Sequence, residues 1–215
     1  MISKKIISGM SMGRRTIFYV DGYNLYFGLR ESKFQKYYWL DVSMLASNIC
    51  RDFEVLKEVK YFTTRVSRPE DEVYRQSEYI DAINNLGNTI IYFGQFKKSK
   101  KKCSVCDSWY RHFTEKKTDV NIATEMLADA FLDRFDTAYL ISGDSDLVPP
   151  IKKIREVFPE KIIKAVFPPK RFNSEIRNNV NGEIHIKPQH LKKSQLPDIV
   201  LMDSGQILRR PKEWI

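Results

Sequence analysis

Short runs rich in Ile, Val, Phe and Tyr alternate along this chain with longer stretches whose apolar positions recur every three or four residues. The short runs, Thr16–Val20, Val59–Thr64, Thr89–Phe93, Thr137–Ile141 and Lys161–Phe167, have the β-branched and aromatic content of strands. Thr16–Val20 does not alternate with polar residues, which predicts a strand buried on both faces. Between them, helical spacing predicts helices over Asn24–Arg30, Val42–Arg51, Pro69–Leu86, Asp119–Asp133 and Leu147–Phe158, with a shorter one from a Ser174 cap to Asn179. Strands separated by helices imply crossover connections, and so an α/β fold with a mainly parallel central sheet flanked by helices in three layers. Beyond Gly182 the periodicity weakens, and no internal repeat is present.

Carboxylates stand where these elements end. Thr16–Val20 runs into Asp21-Gly-Tyr-Asn24, and Thr137–Ile141 runs into Ser142-Gly-Asp-Ser-Asp146. Asp119 opens the helix in which Val120, Ala123, Leu127 and Ala130 share a face. If the two strands are neighbours with that helix beside them, Asp21, Asp119, Asp144 and Asp146 converge at the carboxyl edge of the sheet. Ligands bind at that edge in open α/β folds. Any single aspartate there is also a good helix cap or turn residue. Four together repel by about 4 kcal/mol per close pair at an effective dielectric near 20. A hard divalent cation, Mg²⁺ or Mn²⁺, offsets that cost through oxygen ligands, and the absence of histidines beside these aspartates argues against zinc here.

Charge adds a partner to this picture. The formal charge of the 215 residues is +9. Residues 95–117 hold seven Lys and one Arg against Asp107 and Glu115, and residues 187–215 hold six basic against three acidic residues. These two stretches account for the whole excess, which predicts a neutral body with a basic loop facing a polyanion. A solvated lysine loop kept for solubility is the competing reading. Arg65, Arg68, Lys170 and Arg171 follow strand ends and are candidates for phosphate contacts. Trp109, Tyr110 and Phe113 lie among the lysines, where they could stack on unpaired bases or fold the loop down.

The remaining features set bounds. A hydrophobic content of 42% over this length predicts one α/β domain with appendages. These divide as an extension at 1–15, a domain at 16–186 interrupted by the basic insertion at 95–117, and a tail at 187–215. The tail packs on the body or on a second copy of the chain, so a homo-oligomer stays open. Met1–Arg15 lacks the apolar core of a signal peptide, and no run is long enough for a membrane span. With Cys50, Cys103 and Cys106 as its only cysteines, the chain fits a reducing cytoplasm. Cys103-Ser-Val-Cys106 has metal-knuckle spacing, and His112 is a candidate third zinc ligand, but a closed site needs four.

Asp21-Gly-Tyr-Asn24 after a hydrophobic strand, Lys117-Thr-Asp-Val120 opening a helix, and Ser142-Gly-Asp-Ser-Asp146 together resemble the NYN domain family. That family belongs to the PIN-like nuclease superfamily, and the likeness is greatest to its LabA-like branch. It spans about Thr16 to Asn179. The resemblance implies metal-dependent RNA cleavage on a PIN-like, Rossmann-like sheet. Asp21, Asp119, Asp144 and Asp146 match its acidic positions, with Asn24 and Ser142 as supporting polar residues.

Overall fold

A computed structural model describes residues 13–86, 89–102 and 104–215. Its centre is a six-stranded sheet built from β1 (Arg14–Asp21), β2 (Glu54–Thr63), β3 (Thr89–Phe93), β6 (Thr137–Ile141), β7 (Ile162–Phe167) and β8 (Gly182–His185). The order is β3-β2-β1-β6-β7-β8, with every pair parallel. The chain first winds outward from β1 to β3 and later returns to build the other half on the far side of β1. Strand order therefore reverses between β1 and β6, the place where α/β sheets open a crevice at their carboxyl ends.

Both faces of the sheet are covered, which explains the unalternating strands. Phe18 and Val20 of β1 enter a core completed by α1 (Gly22–Glu31), α2 (Val42–Ile49) and α3 (Glu70–Asn85). Ile17 and Tyr19 enter the opposite core, beneath α4 (Thr118–Phe131) and α5 (Val148–Val157). The predicted helices and strands all form, with ends displaced by a few residues. Asn173, rather than Ser174, caps α6 (Ser174–Asn179), accepting from the N–H groups of Glu175 and Ile176 at 2.8 and 3.1 Å.

Two regions differ from the periodicity reading. The insertion is a two-stranded arm in which β4 (Gln95–Lys102) pairs antiparallel with β5 (Trp109–Lys116). Its charged, poorly alternating sequence hid the hairpin, whose two strands are joined by cross-strand pairing. The arm is rooted beside the sheet edge, where Phe96 packs edge-on against Tyr23 at 6.1 Å and Lys117 donates to Gln95 Oε1 at 2.7 Å.

The tail is ordered and packs on its own chain. Helix α7 (Pro188–Lys193) lies on α2, and β9 (Ile199–Leu201) pairs with β10 (Ile207–Arg209). Leu191 and Leu208 are fully buried, and Trp39 Nε1 donates to the Pro197 carbonyl at 2.7 Å. Among the described residues no helix is long and apolar enough to cross a membrane.

Candidate functional site

Asp21 is the last residue of β1 and the N-cap of α1, so its carboxylate sits where a buried strand turns into a helix. Oδ1 accepts from the Asn24 N–H at 3.0 Å, and Oδ2 accepts from the Ser142 hydroxyl at 2.9 Å. Val20 lies opposite Ile141 in the ladder, which brings Ser142 alongside Asp21 although 121 residues separate them. Ser142 Oγ in turn accepts the Asp144 N–H at 3.0 Å. Asp144 Oδ1 then accepts the Asp146 N–H at 3.0 Å and caps a single 3₁₀ turn at Ser145–Leu147. One hydrogen-bond chain thus runs from the end of β1 to the start of α5.

Asn24 closes the motif from the other side. Its Oδ1 accepts the Gly143 N–H at 2.9 Å, tying α1 to the loop after β6. Asn173 holds the same loop from beyond β7, donating to the Gly143 carbonyl at 3.0 Å. The loop has no room for a side chain at Gly143, because a Cβ there would lie 1.8 Å from the Arg171 carbonyl oxygen. Asn173 was missed in the sequence, and its position just ahead of a short helix was the signal available. Both amides are therefore fasteners that fix the carboxylates' backbone.

Asp21 is only 4% exposed, and its carboxyl is pushed up to about 6. Burial is the largest cause. The Asn24 and Ser142 hydrogen bonds pull the other way, and the charges of Asp119 and Asp144 push it up further. The predicted carboxylates Asp119 and Asp144 are thus both brought within electrostatic reach of Asp21. Asp119 stands in the first turn of α4, behind Lys117 in the left-handed region at φ 79°. α1, α4 and α5 all begin at this edge, and the positive ends of their dipoles ease the crowding, by only about 0.3–1 kcal/mol each. Asp146 is exposed and reaches the group through its backbone bond to Asp144. Among the described residues, no three His, Cys, Asp or Glu side chains stand at metal-holding separations.

The basic candidates divide. Lys170 Nζ donates to the Glu31 carbonyl at 2.8 Å, and Arg171 pairs with the Glu31 carboxylate, so both clamp the β7–α6 loop onto the end of α1. Arg65 and Arg68 are exposed on the strand-end loop after β2, with Arg65 lying over the Phe93 ring at 4.8 Å. Of the zinc candidates, Cys103 and the side chain of His112 lie outside the described residues. Cys106 is exposed with its sulfur 2.9 Å from Ser108 Oγ.

Comparison with known proteins places this geometry. A 6-hydroxy-3-succinoylpyridine 3-monooxygenase, HspA, of Pseudomonas putida is 26% identical, aligned over 93% of this chain and 75% of that protein. A crystal structure of a protein of unknown function from Vibrio parahaemolyticus superimposes with a TM-score of 0.59 at 14% identity. That match covers 87% of this chain and 99% of the other, and at this identity it speaks for the fold alone. The NYN domain profile matches residues 15–187, from the start of β1 to the end of the β8 segment, and takes in every carboxylate described above. The chain belongs to the NYN domain family.

Proposed function

We propose that this NYN domain is a divalent-cation-dependent endoribonuclease whose centre is Asp21, Asp119 and Asp144, with Asp146 at its rim. The observation that carries this reading is Asp21 itself, a buried carboxylate pushed up to about 6 beside two further acidic residues. Such a group is costly unless a cation shares it. The donor set is all carboxylate oxygen, which suits Mg²⁺ or Mn²⁺. When bound, such a cation supplies polarisation of a phosphoryl oxygen and a lowered pKa for attacking water.

The protein's own contribution is positioning. Ser142 and the Asn24 N–H hold the Asp21 carboxylate to one orientation, each occupying one of its two oxygens. Asn24 and Asn173 fix the loop that carries Asp144. The lysine-rich arm, rooted next to Asp119, provides the positive field for an RNA backbone. Hydrolysis in which water attacks phosphorus and the 3′-oxygen leaves gives 5′-phosphate and 3′-hydroxyl ends.

A second reading is an RNA-binding or regulatory protein with a weak or silent centre. It is favoured by the exposed Asp146 and by described carboxylates that stand wider apart than the ligands of one metal ion. Cleavage of a 5′-labelled single-stranded RNA with Mn²⁺, by wild type and Asp144→Asn in parallel, separates the two. The nuclease reading requires cutting by wild type alone, abolished by EDTA. Tight, salt-sensitive binding without cutting by either protein leaves the scaffold. Products with 2′,3′-cyclic phosphate would refute the hydrolytic scheme.

A further inference from the structure

Behind the carboxylate edge, on the α1–α3 face of the sheet, lies a cavity of about 530 Å³. That is within the ~300–1,000 Å³ of small-ligand sites. Its walls are strongly aromatic: Tyr26, Tyr38, Tyr61, Tyr79 and Trp214. Tyr26 and Tyr38 stand 5.1 Å apart, Tyr38 and Trp214 5.6 Å, and Tyr79 and Trp214 6.2 Å, all tilted or edge-on. Trp214 comes from the C-terminal tail, beyond the residues 15–187 shared with the family. The other four rings lie inside those residues, and Trp214 closes the wall from outside them.

The cavity and the carboxylates share a thin partition. Gly22 and Tyr23, which follow Asp21 directly, line the cavity. A Cβ on Gly22 would stand 2.7 Å from the Tyr61 hydroxyl, so the backbone there lies against the ring. After burial, the charge of Asp21 is the largest influence on the Tyr61 phenol. The polar lining is acidic on balance, with Asp71, Glu72 and Glu213 against Arg30 and Arg75. Arg75 is itself held by Asp71 at 2.8 Å and Glu213 at 3.6 Å. A lining of this sign disfavours phosphate and favours an uncharged ring whose N–H edge can donate to carboxylates. Aromatic side chains are the usual platform for unpaired bases.

We propose that this cavity takes one unpaired nucleobase of the RNA strand, stacked among Tyr26, Tyr38 and Trp214, and that seating this base sets where the strand is cut. The inference rests on the nuclease reading for its second half only. Base seating is tested by binding a single-stranded RNA in which one 2-aminopurine is moved along the strand. The expected result is fluorescence quenching at one position, lost in Trp214→Ala and in Tyr26→Ala, with circular dichroism confirming that each variant is folded.

Cut positioning is tested by placing one abasic site at that position. We expect kcat/KM to fall roughly tenfold for wild type, with no further fall for the pocket variants, which already start lower on intact RNA. Equal quenching in wild type and both folded variants overturns the proposal. So does binding of free adenosine as tight as that of the strand, which would make the cavity a site for free nucleosides. Cutting that ignores both the abasic site and the pocket variants removes the cavity from the mechanism while leaving the nuclease intact. Quenching without any cutting removes the nuclease reading and leaves the base site.

Discussion

Two buried acidic regions meet β1, one at its last residue and one beneath α4, and they are resolved differently. Asp129 on α4 is 1% exposed and meets Lys60 Nζ at 2.6 Å and Arg134 at 3.1 Å. Tyr19 donates to the same carboxylate at 2.6 Å, and Lys60 also reaches Glu125 at 2.7 Å. This network is closed by the chain's own cations. Asp21 is nearly as buried, yet its hydrogen bonds come from a backbone N–H and a hydroxyl, and two carboxylates stand near it. The first arrangement is that of a structural ion pair. At Asp21 the described hydrogen-bond partners include no cation, and a buried carboxylate of that kind is how binding and catalytic groups are recognised.

The sharpest way to break this comparison is to remove the cation from the closed network. Lys60→Met should destabilise the protein by about 3–5 kcal/mol in urea unfolding, because it removes the buried cation and leaves only Arg134 and Tyr19 to offset the Asp129 charge. Lys60→Met combined with Asp129→Leu should recover much of that loss. A negligible effect of the single variant would mean that Arg134 alone satisfies the site. Next in size, Asp144→Asn should slow RNA cleavage by roughly 10² or more with affinity unchanged or raised, measured under single-turnover conditions.

Asp21 offers an effect of opposite sign. Its carboxyl is held at about 6 in the folded chain against an unfolded value near 3.9. The folded state therefore binds this proton more tightly, and the carboxyl's favourable contribution is present at low pH and lost as pH rises through about 6. In EDTA, stability should fall by about 2–3 kcal/mol between pH 4 and 7 from this group. The difference between wild type and Asp21→Asn isolates it, and the variant should be the more stable at pH 7. Added Mn²⁺ should reverse that order by stabilising only wild type. The smallest effect is on the arm: Lys100→Ala or Lys101→Ala should each reduce the slope of log affinity against log salt for single-stranded RNA by about 0.7.

Much of the fold was legible because it is written locally. β1 and β6 are continuous apolar runs that end in Asp-Gly and Ser-Gly-Asp, and α4 and α5 carry clear helical stripes. Asp21, Asp119 and Asp144 followed from those ends. The arm was not legible, because Lys97 to Lys102 is a nearly unbroken lysine run that gives no apolar period. β8 escaped because Gly182–His185 is a short, half-exposed edge strand. Lys170 and Arg171 looked like free cations in sequence, since nothing local announces Glu31, about 140 residues earlier.

From the chain alone came the alternation of elements, the parallel sheet and the identity of the acidic residues, because burial on two faces and helix spacing leave marks within ten residues. Only the folded molecule settled which cations pair with which carboxylates. It also brought Asn173 to the Gly143 loop and carried Trp214 across the sheet to close an aromatic cavity beside Asp21. Those outcomes depend on parallel strands that meet through long crossovers, and contacts at such separations leave no period in the sequence.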